Sequence, residues 1–479
     1  MLRRLQTGVS VTAALALGLG LRLWFVVHTA RIAGDSLIYG DIAKTWMQTG
    51  VYGFGQAGGG ALPTLIRLPG YPMFLAACFR LFGVEHYTAV LYAQTFADLI
   101  TCLLVGALAG RLFGRRAGLV ALWLAVLCPF TASYVAYPLA ETLTLTCVAL
   151  AFYGLERWRA AGPGFNRWLW VIVAALAYSV LLRPEQGLLA AAVVPAMLWM
   201  VLTLRLGSPA RSEGVGRAAA PVLVAAVCVV LPLVPWTVRN WRTFHVVQPL
   251  APRYATDPGE LVPLGFQHWF KTWGIEFAST EDVYWNYDGA TVDLNDIPTR
   301  AFDTDDQYAR TAALIEEYNR TARANQAFDD RFEELAQERV KNDPLRYYVA
   351  LPVARVVDMV LRPRVEMFEI ELEWWRWRDH PKQTIFAGGY AALNLGYFVL
   401  AGVGLWQWRR RGWQGNQALA FSMIGFIVLR TLLLLTLDNS EPRYTLEFFP
   451  VLMVWAGAAF SELSRVPPPR TLVLKSSID

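Results

Sequence analysis

The chain reads as an all-α polytopic membrane protein, and three observations carry that reading. Hydrophobic residues make up 55% of its 479 positions and the mean hydropathy is +0.34, above the roughly 45–50% apolar content of soluble chains. About ten apolar runs are each long enough to cross a bilayer, on the order of 17–25 residues. When the runs are threaded alternately, arginine-rich connectors fall on one face, which the positive-inside rule makes cytoplasmic.

The first run, 7–27, follows Arg3 and Arg4 and leads into Arg31 with no small-residue cleavage site. It reads as a retained span rather than a signal peptide. The outward loop 28–85 comes next. Asp35-Ser36 is a helix-start signal. Ile38, Ile42 and Trp46 then recur on one face, with Asp41, Lys44, Thr45 and Gln48 opposite. That pattern predicts an amphipathic helix on the membrane surface. Gly53–Gly60 reads as a flexible turn. Met73–Phe82, stopped by Gly83, reads as a second juxtamembrane helix too short to cross.

Runs 86–110, 117–135, 139–155, 168–183, 185–204 and 218–238 follow with short connectors. The basic connectors are Arg111/Arg115/Arg116, Arg157/Arg159/Arg167 and Arg205/Arg211/Arg217. Residues 1–238 thus form a seven-span core module that carries the loop 28–85. The insert 239–383 is the place for an outward domain, mainly α or mixed. Its charged middle, 303–342, has Leu314, Tyr318, Phe328, Phe332 and Leu335 as apolar positions. The stretch 345–362 reads as an interfacial helix, because a crossing there would place Arg409–Arg411 outside. Runs 384–408, 415–437 and 442–463 make a C-terminal unit, 384–464. The tail 465–479, with Arg465, Arg470 and Lys475, is expected to be cytoplasmic.

Composition narrows the function. The chain has 19 Trp and 19 Tyr, and many Trp sit at span ends (Trp46, Trp168, Trp236, Trp241, Trp406, Trp413), as interfacial anchors do. The net charge of +5 comes from the basic connectors and is no nucleic-acid signal. All five cysteines lie in apolar segments, which gives no disulfide framework and no metal pattern. The five histidines (His28, His86, His245, His268, His380) have no ligand spacing. No cofactor is expected, although a divalent metal is left open.

The residues with chemical interest fall on the outward face. Asp35 follows the first span directly. A carboxylate at the hydrocarbon boundary is costly without a role or a partner. It reads either as a general base or as the N-cap of the next helix. Asp41, on the polar stripe, is a weaker catalytic candidate and reads first as a solvated or paired carboxylate. Arg67, Arg183, Arg239 and Arg443 each sit at an outward span end or in the first loop. Each is a planar cationic fork suited to phosphate oxygens. Snorkelling explains any one of them, but several at one level point to an anionic headgroup site. Glu141, Glu185 and Glu441 lie at the same level, either paired to arginines or holding substrate hydroxyls.

These residues together resemble the bacterial membrane glycosyltransferases of the GT-C superfamily, of the protein-O-mannosyltransferase and aminoarabinose-transferase type (glycosyltransferase families 39 and 83). The resemblance is carried by Asp35 through Ala43 with Tyr39, and by Arg67-Leu68-Pro69-Gly70-Tyr71-Pro72. Further on it is carried by Glu141, Arg183-Pro184, Pro235-Trp236-Thr237-Val238-Arg239-Asn240 and Arg443-Tyr444. Leu68 departs from the usual proline. The resemblance implies a GT-C fold and a polyprenyl-phosphate-linked sugar donor. It implies Asp35 as base on an acceptor hydroxyl and inversion at the anomeric carbon. Arg67, with Arg183, Arg239 or Arg443, would hold the departing phosphate. Tyr39, Tyr71, Glu141, Glu185, Glu441 and Tyr444 would line the substrate site. The acceptor, whether protein, lipid or glycan, is not legible.

Alanine-, leucine-, arginine- and tryptophan-rich composition fits a bacterial chain, so the expected location is the inner membrane, with both termini cytoplasmic and the site periplasmic. A polyprenyl-linked glycan transporter or flippase is the alternative, and an envelope assembly protein a third. A transporter would need polar residues at mid-membrane depth and inverted repeats, whereas Asp98 and Arg430 are the main mid-span charges here.

Overall fold

A computed structural model describes residues 2–206 and 215–461, with side chains over 8–203 and 218–461. Arg211, Arg465, Arg470, Lys475 and the tail fall outside these. In chain order the helices begin with α1 (Leu2–His28) and α2 (Asp35–Thr49). A short antiparallel hairpin follows, with β1 (Gly53–Gly55) paired to β2 (Ala61–Pro63). Then come α3 (Gly70–Phe82), α4 (Tyr87–Phe113), α5 (Arg115–Val126), α6 (Pro129–Ala132), α7 (Glu141–Ala160), α8 (Arg167–Leu182), α9 (Gly187–Leu206), α10 (Val215–Val230) and α11 (Leu233–Phe244). The insert carries α12 (Leu264–Lys271), α13 (Phe277–Ser279), α14 (Asp305–Asn319), α15 (Gln326–Asn342) and α16 (Leu351–Leu361). The chain closes with α17 (Pro381–Arg410), α18 (Gln417–Leu434) and α19 (Phe449–Ala458).

The architecture is all-α, as the apolar runs indicate. Among the described residues six helices are long and apolar enough to cross, or seven if one bent pair is a single span. The run 117–135 breaks at Cys128-Pro129, where the helix bends by 47°; proline lacks the N–H that would continue the helix. The run 442–463 starts as a 3₁₀ turn, Pro442–Phe448, and becomes α-helical only as α19. α7 carries Glu156, Arg157 and Arg159 in its last turns and is buried along most of its length, between α4, α8, α9 and α19. It is a central helix of the bundle.

Two buried ion pairs hold the bundle. Arg22 is fully buried and donates to Asp98 at 2.7 Å, to Gly18 O at 2.8 Å and to Val126 O at 2.7 Å. It thereby ties α1 to α4 and satisfies the open carbonyl end of α5, as buried charge must be. Arg430 of α18 donates to Glu447 at 2.8 Å and to Tyr444 O at 2.9 Å. The two mid-span charges that the sequence singles out, Asp98 and Arg430, are therefore both paired within the bundle.

The first loop is more ordered than expected. Gly53–Gly60 is not a loose turn, since its first residues form β1. The hairpin folds over α2, so Thr45, expected on the solvent stripe, is 3% exposed. Gly70 meets the end of α8 so closely that a Cβ there would lie 2.5 Å from Leu181 C. That contact sets the start of α3 beside Arg183. The insert has its own core of Phe266, Trp269, Trp273, Tyr287, Phe328 and Phe332 among others, and the five apolar positions expected in 303–342 are all buried. Thr304 and Asn325 cap α14 and α15 with side-chain bonds to Gln307 N and Phe328 N, as N-caps do.

Candidate active site

The site is built at the end of the bundle opposite Arg111, Arg157 and Arg409. It gathers the start of α2, the loop before α3, the start of α7, the α8–α9 turn and the segment before α19. Asp35 is the first residue of α2, and the N-cap position is Gly34, with φ +54° and no side-chain cap bond. The cap alternative for Asp35 therefore falls away. Its carboxylate instead accepts from Arg67 Nη2 on Oδ1 at 2.7 Å and pairs with Arg443 Nη1 through Oδ2 at 3.1 Å. Its place at a helix N-terminus also suits a negative charge. Burial alone would push this carboxyl up, but Arg443 and Arg67 outweigh it and hold it at about 2.

From Asp35 a chain of charges runs into the bundle. Arg443 also pairs with Glu441 and lies 3.8 Å from Glu141. Arg183 reaches Glu141 at 2.9 Å, Glu185 at 2.5 Å and Glu447 at 3.6 Å. Glu447 connects on to Arg430. Four guanidiniums thus face five carboxylates. Burial pushes the Glu441 carboxyl up to about 7; Arg443 pulls it down, and Asp35 and Glu141 push it further up. Glu441 Oε2 is buried without a hydrogen-bond partner.

Aromatic walls frame the charges. Tyr39 packs edge-on to Tyr71 with centroids 5.0 Å apart, and Arg67 lies over the Tyr39 ring. The Tyr71 hydroxyl donates to Gln94 Oε1 at 2.6 Å. Arg183 and Arg443 both lie within 6 Å of the Tyr444 ring, at 5.7 and 5.9 Å, a geometry that favours cations over the ring face.

The loop that presents Arg67 is held from several sides. The Tyr52 hydroxyl donates to Arg67 O at 2.9 Å. Asp257, from the insert, accepts from Thr64 Oγ1 at 2.7 Å and from Leu65 N at 2.8 Å. Arg239 donates to Thr64 O at 2.7 Å and to Tyr52 O at 2.5 Å. Its guanidinium also lies over Tyr52, Trp236 and Phe244.

The family model described as dolichyl-phosphate-mannose-protein mannosyltransferase matches residues 67–236, the stretch that supplies Arg67, Glu141, Arg183 and Glu185. Among solved structures, the oligosaccharyltransferase AglB of Archaeoglobus fulgidus, in complex with an inhibitory peptide and a dolichol-phosphate, aligns over 95% of this chain and 50% of its own, at 10% identity and a TM-score of 0.50. The chain has the GT-C fold.

ArnT of Cupriavidus metallidurans, bound to undecaprenyl phosphate, aligns over 94% of this chain and 77% of its own, at 16% identity and a TM-score of 0.37. The chain spans about half the length of the oligosaccharyltransferase it matches. No curated protein sequence matches it.

On this GT-C frame the structure brings together Asp35, Arg67, Arg183, Arg443, Glu141, Glu185, Glu441, Tyr39, Tyr71 and Tyr444. Two of the sequence candidates stand apart. Asp41 accepts from Gly55 N at 3.0 Å and lies 3.6 Å from Lys44, so it pins the hairpin. Arg239 sits behind the Arg67 loop on backbone carbonyls. Sequence reasoning missed Glu447, which is fully buried and stands four residues after Arg443. Among the described residues no three His, Cys, Asp or Glu side chains are grouped to hold a metal ion.

Proposed function

We propose that the protein is an inverting glycosyltransferase that moves a sugar from a polyprenyl-phosphate donor to a hydroxyl acceptor on the outer, periplasmic side of the membrane. The observation that carries this reading is Asp35 bridged between Arg67 and Arg443 at one end of a GT-C bundle. A candidate base and two phosphate-binding forks share one point. The mannosyltransferase family model, and the dolichol-phosphate in the AglB complex, support a lipid-phosphate donor.

At about 2, the Asp35 carboxyl is a weak base while both arginines hold it, because a base works best with a pKa near the operating pH. An incoming phosphate competes for the same two guanidiniums. As they turn to the phosphate, Asp35 loses its stabilising partners and its basicity rises. The acceptor oxygen then attacks the anomeric carbon on the face opposite the phosphate, and its proton passes to Asp35. The carbon–oxygen bond to the phosphate breaks, and the electron pair leaves on polyprenyl phosphate. Arg67, Arg443 and Arg183 stabilise that developing charge, the electrostatic contribution expected of fixed cations.

Arg67→Ala tests the division of labour. It is expected to raise KM for the lipid donor at least tenfold, as loss of a charged hydrogen bond does, and to change KM for the acceptor little. An unchanged donor KM would remove Arg67 from the phosphate site.

A further inference from the structure

Tyr134 and Glu366 form a polar wall that the roles above leave unused. Tyr134 lies in the bent segment after α6 and is 2% exposed. Its hydroxyl donates to Glu366 Oε1 at 3.1 Å. Glu366 comes from the far end of the insert, between α16 and α17. The strand of chain that carries it is stitched onto the Arg443 segment. Arg364, two residues earlier, donates to Pro442 O at 2.9 Å and also to Thr445 Oγ1. The charges of Glu441, Glu141 and Arg443 act on the Tyr134 hydroxyl together with that of Glu366. The pair therefore borders the Arg443 end of the site.

The second oxygen of Glu366, Oε2, is buried and has no hydrogen-bond partner. Among the described residues, no Lys, Arg or His nitrogen lies within 4.0 Å of this carboxylate. A buried acceptor left unpaired is costly, so this oxygen is suited to a donor brought in by a bound molecule. A phosphate is the wrong match, since both partners would be anionic. Neutral hydroxyl groups fit. The sugar of the donor is bonded directly to the phosphate that Arg67 and Arg443 are placed to hold, which brings its hydroxyls to this wall.

We propose that Glu366, oriented by Tyr134, binds hydroxyl groups of the donor's sugar ring, so that the insert takes part in donor selection. This rests on the glycosyltransferase reading. The test measures binding of undecaprenyl phosphate, and of undecaprenyl phosphates carrying a hexose, an N-acetylhexosamine or a pentose, to the full-length protein in nanodiscs. Wild type is expected to bind one sugar-bearing lipid more tightly than undecaprenyl phosphate alone. Glu366→Gln is expected to bind bare undecaprenyl phosphate as wild type does and to lose about tenfold of the preference for the sugar, the size of a lost hydrogen bond to a charged group. Tyr134→Phe, which leaves the carboxylate but frees it to turn, is expected to lose part of the same preference. A Glu366→Gln protein with the full wild-type preference overturns the assignment, as does one that loses bare undecaprenyl phosphate equally. A wild-type protein that prefers none of the sugar-bearing lipids instead overturns the glycosyltransferase reading on which the assignment stands.

Discussion

Asp257→Ala should disturb the candidate site from a residue outside it. Asp257 lies in the insert, yet its two oxygens accept from Thr64 Oγ1 and Leu65 N, at 2.7 and 2.8 Å. Thr64 is fully buried and Leu65 is 2% exposed. Truncation leaves the buried Thr64 O–H without an acceptor and the buried Leu65 N–H without a partner, each costing roughly 1–3 kcal/mol. Taking about 3 kcal/mol for the pair, local opening of the loop becomes about 100-fold more frequent. Arg67 follows two residues later and rides on the same loop, so its contact with Asp35 loosens as well. Hydrogen exchange of the peptide covering residues 60–70 should accelerate by that factor, while exchange in α4 and α7 should not change. Donor KM should rise in parallel. Unchanged exchange at Leu65, with unchanged donor KM, would refute the coupling of the insert to the Arg67 loop.

Two further predictions concern charge. The Glu441 carboxyl is pushed up to about 7 in the folded protein, above the ordinary carboxylate value of about 4.3. Its contribution to stability is therefore fully present below about pH 4.3 and is lost as pH rises through 7, to the extent of roughly 3 kcal/mol. Glu441→Gln should flatten the fall in melting temperature between about pH 4.5 and 7.5, and an identical slope in both proteins would contradict the assignment. Asp98→Asn strands the Arg22 charge inside the bundle and should cost about 3–5 kcal/mol, whereas Arg22→Leu with Asp98→Leu should recover most of it. A single variant that melts with wild type would show that the pair does not hold α1 to α4.

Much of the fold was legible because apolar run length and arginine placement are coarse, additive signals. The insert's apolar positions were legible for the same reason, since helical period alone buries Leu314, Tyr318 and Phe332. What escaped was long-range pairing. Arg239 has the residue type and level of a phosphate ligand, and only the folded hairpin shows its guanidinium on the carbonyls of Tyr52 and Thr64. Thr45 reads as solvent-facing until β1 and β2 close over α2. Run length says nothing about what surrounds a helix, and only the structure shows α7 buried among its neighbours. Asp35 was found by position, and only the structure shows that Gly34, not Asp35, takes the N-cap place. Glu366 gave no signal in sequence, because its importance lies in the partner it lacks.

Sugar transfer by the purified full-length protein in nanodiscs, offered a panel of radiolabelled polyprenyl-phosphate sugars beside Asp35→Asn, tests the central claim most directly. The account predicts release of free polyprenyl phosphate by wild type and a loss of about 100-fold or more in the folded variant, the range of general-base catalysis. Near-normal turnover by Asp35→Asn would contradict it.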